Sequence, residues 1–129
     1  MNQKLRLLYV DDERDIRDIV EIALEDETDF ELKMCASGAA ALEIMPVYRP
    51  DLLLLDVMMP GMDGPATFQR LRALPGCEET PAIFVTAKVQ TKEVERFKAL
   101  GAMGVIAKPF DPMLLADQVR TLWQQGRHA

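Results

Sequence analysis

Apolar residues in this chain come in short solid runs, separated by longer stretches in which they recur every three or four positions. The clearest run is Leu52-Leu53-Leu54-Leu55, set between Asp51 and Asp56. A short apolar run bounded by turn signals predicts a strand buried on both faces, as in a parallel sheet covered by helices on each side. Leu5-Arg6-Leu7-Leu8-Tyr9-Val10, Ala82-Ile83-Phe84-Val85 and the short Gly104-Val105-Ile106-Ala107 read as further strands. Phe30-Glu31-Leu32-Lys33-Met34 alternates apolar and polar instead, which places it at the sheet margin with one side wet.

Between these runs the period changes to that of a helix. Ile16, Ile19, Val20 and Leu24 form the stripe of a first helix, whose acidic outer face (Glu21, Glu25, Asp26, Glu27) is left to solvent. Ser37 or Gly38 opens a second, Ala-rich helix carrying Leu42, Ile44 and Met45, which is expected to end near Pro46 and Pro50. Pro60 and Gly61 make a loop, and Pro65 suits the first turn of a third helix with Phe68 and Leu71 inward. Residues 75–81 form a surface loop. Thr91 is expected to cap a fourth helix (Val94, Phe97, Leu100) that stops at Gly101. The last helix is expected to start at Pro112 and to carry Leu115, Val119 and Leu122, with Trp123 packing it down before a polar tail over 124–129.

Five strands alternating with five helices predict an α/β fold with a doubly wound parallel sheet. Right-handed crossovers and a marginal second strand give the flavodoxin-like order 2-1-3-4-5, with helices on both faces. The pattern fits a single domain over 1–129 with its core at 5–125.

Composition narrows the function classes. With 129 residues, 49% of them hydrophobic, the chain can bury a substantial core. A net charge of −6 argues against nucleic acid or an anionic membrane as the main partner. Cys35 and Cys77 have neither a disulfide framework nor zinc-ligand spacing, and are expected to be reduced thiols. No leader segment and no apolar run of membrane-spanning length is visible, so a cytoplasmic protein is expected.

The chemistry sits where strands end. Asp11 and Asp12 follow the first strand, Asp56 the third, Thr86 the fourth and Lys108 the fifth, so all emerge on one edge of the sheet. In open parallel sheets the ligand crevice lies there, at the point where strand order reverses. Singly, Asp11 or Asp12 could cap the first helix, Thr86 could end a strand and Lys108 could be a surface charge. Together, the carboxylates would repel by about 4 kcal/mol per pair at ~4 Å and an effective dielectric near ~20, which calls for a cation. A hard divalent ion with oxygen ligands, Mg²⁺ above all, suits an all-carboxylate pocket.

Asp11-Asp12, Asp56 with Met59-Pro60-Gly61 and Asp63-Gly64, Thr86-Ala87, and Lys108-Pro109-Phe110 resemble the receiver domain of bacterial two-component response regulators. The resemblance covers nearly the whole chain. It implies that Asp56 takes a phosphoryl group from a histidine kinase or a histidine phosphotransfer protein, forming an acyl phosphate. It implies Mg²⁺ held by Asp12 and Asp56, by Asp11 largely through water, and by the backbone carbonyl of Met58. Thr86 and Lys108 would each contact a phosphoryl oxygen, with Lys108–Pro109 in the cis form. The output would be a change in the surface of the fourth helix, fifth strand and last helix. That surface would control a downstream protein or an attached effector domain, and allows a phosphorylation-dependent homodimer. Such a domain is not an enzyme acting on other molecules, but catalyses its own phosphorylation and dephosphorylation. The chain is read either as a single-domain regulator or as a receiver cut from a larger regulator or hybrid kinase.

Three positions depart from or extend the pattern. Many receivers carry Tyr or Phe three residues before the lysine; Val105 stands there and reads as strand core. In the family that it resembles, the positions of Met58 and Lys88, two residues beyond Asp56 and Thr86, flank the approach of hydrolytic water, and these side chains are expected to alter the acyl-phosphate lifetime. Met58, Met59 and Met62 are expected to pack under their loop, and His128, in the polar tail, is given no phosphodonor role, which would need an ordered helical setting. A haloacid-dehalogenase-type phosphatase needs a second aspartate where Met58 stands. A flavodoxin needs a phosphate cradle after the first strand, where Asp11-Asp12-Glu13 would repel phosphate.

Overall fold

A computed structural model describes residues 4–127. The elements run β1 (Leu5–Val10), α1 (Arg14–Leu24), β2 (Phe30–Cys35), α2 (Gly38–Tyr48), β3 (Leu52–Asp56), α3 (Gly64–Arg72), β4 (Ala82–Thr86), α4 (Thr91–Ala99), β5 (Gly104–Ala107) and α5 (Leu115–Arg127). All strand pairs are parallel, in the order β2-β1-β3-β4-β5. The fold class and strand order expected from the sequence are those observed.

Successive residues of a strand face opposite sides of the sheet, so the four leucines of β3 divide between two cores. Leu53 and Leu55 join Leu8, Val10, Phe84, Met45, Phe68 and Phe97 under α2, α3 and α4. Leu52 and Leu54 join Leu7, Tyr9, Ile83, Val85, Val20 and Val119 under α1 and α5. Phe84 anchors the first core by edge contacts with Phe68 (5.7 Å) and Phe97 (5.1 Å), each worth about 0.5–1.5 kcal/mol beyond area burial. Trp123 packs against the second core, as expected.

Several boundaries move. α2 runs through Pro46 to Tyr48, because a proline in the last turn removes only one backbone bond. Tertiary contacts hold that turn: the Tyr48 hydroxyl donates to Glu31 O at 3.2 Å, and the Arg6 guanidinium donates to Tyr48 O. α5 begins at Leu115 rather than Pro112, since Asp111 first closes a turn by accepting from Leu114 N (2.9 Å) and, through Oδ1, from Met113 N (2.9 Å). Residues 124–127, expected as tail, continue the helix; His128 lies outside the described residues.

Gln90, without a side-chain cap, precedes α4, and Thr91 is its first residue rather than its cap. Gly101, with φ +108, ends that helix in the left-handed region. Ile19 is 37% exposed and lies off the buried stripe of α1, whereas Glu27 is not simply solvated but pairs with Arg120. Arg120 also pairs with Asp29 (2.8 Å) and Asp117 (2.8 Å) and lies over the Phe30 ring, tying α5 to the turn before β2.

Candidate functional site

The ends of β1, β3, β4 and β5 meet at one edge of the sheet. Register pairs Val10 with Leu55 and Asp56 with Val85, so Asp11 and Asp56 lie side by side where the strand order reverses. Lys108 N donates to Thr86 O at 2.9 Å, which brings the residue after β5 back to the end of β4. Carboxylate oxygens of Asp11, Asp12 and Asp56 lie within 4.8 Å of one another.

Asp11 is wholly buried and fully engaged. The Tyr9 hydroxyl donates to its Oδ2 at 2.7 Å, Glu13 N donates to its Oδ1 at 2.9 Å, and Lys108 Nζ lies 2.9 Å from Oδ2. Its backbone is fixed as well, since Asp11 N donates to Cys35 O and Arg17 Nη1 donates to Asp11 O. Glu13 is the N-cap residue of α1 but gives no side-chain cap; Asp11 Oδ1 receives the amide there instead. Asp12 is exposed at the mouth of the cluster.

Asp56 is 2% exposed. Lys108 Nζ donates to its Oδ1 at 3.0 Å, while Oδ2 is buried with no hydrogen-bond partner among the described residues. Burial pushes the Asp56 carboxyl up from 3.8 to about 6, with Lys108 pulling it down and the Asp11 carboxylate pushing it up again. Burial opposes the charge on Lys108, but its hydrogen bonds to Asp11 and Asp56 outweigh that and hold its pKa above the ordinary lysine value. Burial, then the bond to Asp11, pushes the Tyr9 phenol far above its usual range, so it stays a donor.

The loop after β3 closes with Gly64 N donating to Val57 O at 2.9 Å and Asp63 Oδ1 accepting from Ala66 N at 2.9 Å. A Cβ at position 64 would stand 2.5 Å from the Asp56 carbonyl oxygen, so only glycine lets α3 start this close to the site. Met59 is buried in the core, but Met58 is 71% exposed and does not pack under the loop as expected. Thr86, buried at the end of β4, accepts from Lys88 N through Oγ1 at 3.1 Å. The Lys108–Pro109 bond is cis.

Asp11, Asp12, Asp56 and Lys108 are thus brought into contact range, with Thr86 on the adjoining strand end. Sequence reasoning gave no role to Tyr9 or Glu13. Tyr9 was legible in principle, because residues two apart on a strand share a face and a buried phenol needs a partner. The contact of Glu13 with Lys108 depends on tertiary placement alone.

A five-stranded parallel sheet in this order, with acidic side chains at its switch point, defines a doubly wound α/β protein with a polyoxygen site. The chain belongs to the response regulator receiver domain family, whose model matches residues 7–120. It is 34% identical over 122 residues to "Response regulator Rre1" of Synechocystis sp., covering 95% of this chain and 53% of that protein. It is 38% identical over 115 residues to "DNA-binding response regulator MtrA" of Mycolicibacterium paratuberculosis, covering 89% and 49%. The chain therefore spans about half the length of these curated relatives. Among solved structures it resembles the chemotaxis response regulator CheY4 of Vibrio cholerae, with a TM-score of 0.84, 30% identity, and coverage of 93% of this chain and 99% of that one. No helix among the described residues is long and apolar enough to cross a membrane.

Proposed function

We propose that Asp56 accepts a phosphoryl group from a phosphohistidine on a histidine kinase or phosphotransfer protein, and that this charge switches the domain between two output states. The observation that carries the reading is Asp56 itself: buried, hydrogen-bonded on one oxygen only, with its other oxygen unpartnered among the described residues and two further carboxylates beside it.

The same unpartnered oxygen is open to a cation. A buried carboxylate oxygen in an all-oxygen cluster suits a hard divalent ion, and we assign Mg²⁺ to Asp11, Asp12, Asp56 and the Met58 backbone carbonyl. When bound, it would neutralise charge developing on the transferring phosphoryl group. The rest falls to the chain. An Asp56 carboxylate oxygen attacks phosphorus, the P–N bond to the donor imidazole breaks, and its electron pair returns to the ring nitrogen. No proton need leave Asp56, whose carboxylate is the nucleophile. Lys108, already 3.0 Å from Asp56, is placed to pair with a phosphoryl oxygen.

Thr86 links the chemistry to the output surface. Its hydroxyl has one proton to give while its oxygen already accepts the Lys88 amide, so turning toward a phosphoryl oxygen would pull the loop between β4 and α4. The face of α4, β5 and α5 would then present a changed surface to a downstream protein or an attached effector domain, or to a second copy. Catalysis is confined to the domain's own phosphorylation and dephosphorylation, in the cytoplasm where such kinases deliver phosphate. The test is incubation with acetyl phosphate, with Mg²⁺ or with chelator, read by intact mass. A gain of one phosphoryl group that needs Mg²⁺ and is lost in Asp56→Asn is expected. Gain in chelator, or in that variant, would overturn the assignment.

A further inference from the structure

Lys108 has three N–H donors and three carboxylate neighbours: Asp11 Oδ2 at 2.9 Å, Asp56 Oδ1 at 3.0 Å and Glu13 Oε1 at 3.5 Å. In the unmodified protein its donors are therefore all spoken for. A phosphoryl oxygen arriving on Asp56 can gain Lys108 only if one of these contacts is released. Asp11 cannot readily yield: its side chain is 0% exposed and is also held by Tyr9 and the Glu13 amide. Asp56 loses its charge when modified but keeps a carbonyl oxygen that can still accept from the lysine. Glu13 is the longest contact, its side chain is 60% exposed, and its carboxylate does no capping work for α1. It is the contact that can be given up at least cost.

We propose that Glu13 is a place-holder for the phosphoryl group: it occupies the third donor of Lys108 until Asp56 is modified, then surrenders it. This rests on Asp56 being the acceptor. Glu13 is a positioning residue, acting through Lys108 rather than on the reacting atoms. Because it holds the unmodified state and not the modified one, it biases the equilibrium against phosphorylation, by the free energy of that differential contact. An ion pair this exposed controls a factor of about two to five.

The experiment compares wild type, Glu13→Gln and Glu13→Asp, with acetyl phosphate at saturating Mg²⁺. Initial rate and plateau of phosphorylation are read by intact mass spectrometry, and thermal melting confirms that each variant is folded. Glutamine removes the charge; aspartate keeps it on an arm one methylene too short to reach Lys108. Both variants phosphorylating about two- to five-fold faster than wild type supports the place-holder role. Glutamine accelerating while aspartate matches wild type would mean that Glu13 merely repels the anionic donor, and the inference falls. Neither variant accelerating overturns it too, while leaving the Asp56 assignment intact, since wild type is still modified. A wild-type protein that takes up no phosphoryl group sinks the Asp56 reading and this inference with it.

Discussion

Replacing Asp56 by Asn should make the metal-free protein more stable, because the wild-type chain holds a carboxylate where a neutral group would rest more easily. The carboxyl rises from 3.8 to about 6 on folding, chiefly through burial. About two units at about 1.4 kcal/mol each gives about 3 kcal/mol of destabilisation from the ionised form at neutral pH. Asparagine must still find partners for its amide, so a net gain of about 2–3 kcal/mol is expected, or roughly 6–12 °C in melting temperature for a domain of this size. A group whose folded pKa is raised stabilises the fold fully below its unfolded pKa, and that contribution is lost as pH rises through the folded value. The gap between variant and wild type should therefore be full above about pH 7, shrink between about 6 and 3.8, and vanish below. Saturating Mg²⁺ should narrow it from the other side by stabilising wild type more than the variant, which lacks one carboxylate of the site. Calorimetry in chelator across this pH range is the assay. Asp56→Asn melting at or below wild type at pH ~7.5, or a gap indifferent to pH, would refute the reasoning.

Three further outcomes follow from the same geometry. Tyr9→Phe removes a donor to the buried Asp11 carboxylate and should cost about 1.5–3 kcal/mol by urea denaturation, with Mg²⁺-dependent phosphorylation retained. Arg120→Ala breaks exposed pairs with Glu27, Asp29 and Asp117 and should cost about 1 kcal/mol, less in high salt. The hydrogen bond from Arg120 holds the Asp29 carboxyl below 3.8, so that contribution is present above 3.8 and lost as pH falls through the lower folded value; acid titration of the melting temperature checks it. Gly64→Ala drives a methyl group into the Asp56 carbonyl and should cost about 1–3 kcal/mol, with slowed phosphorylation; a fully active, equally stable variant would show that the loop relaxes freely.

Much of the fold was legible because the sheet is buried on both faces, so its strands stand out as unbroken apolar runs. The β3 leucines needed no long-range information to be placed, and the alternation of β2 marked it as marginal. The four charged site positions were legible for a topological reason: parallel strands share one carboxyl edge, so the residue after each strand is drawn to the same place. What the sequence hid depends on tertiary partners. Pro46 reads as a stop, yet contacts from Arg6 and Glu31 hold the turn beyond it. Pro112 reads as a start, yet Asp111 spends its carbonyl and carboxylate on a separate turn first. Met58 reads as loop packing, yet Met59 fills that role and leaves it exposed. Glu13 reads as part of a turn, and only the return of β5 supplies the lysine it meets.

The site is stitched from distant parts of the chain: Lys108 reaches Asp56 across 52 residues and Glu13 across 95. A growing polypeptide thus carries Asp56 long before it carries the lysine that packs beside it. On the reading of Asp56 given above, competence to receive a signal arrives only with the closing strand, so a half-made or misassembled copy stays silent instead of transmitting a false message.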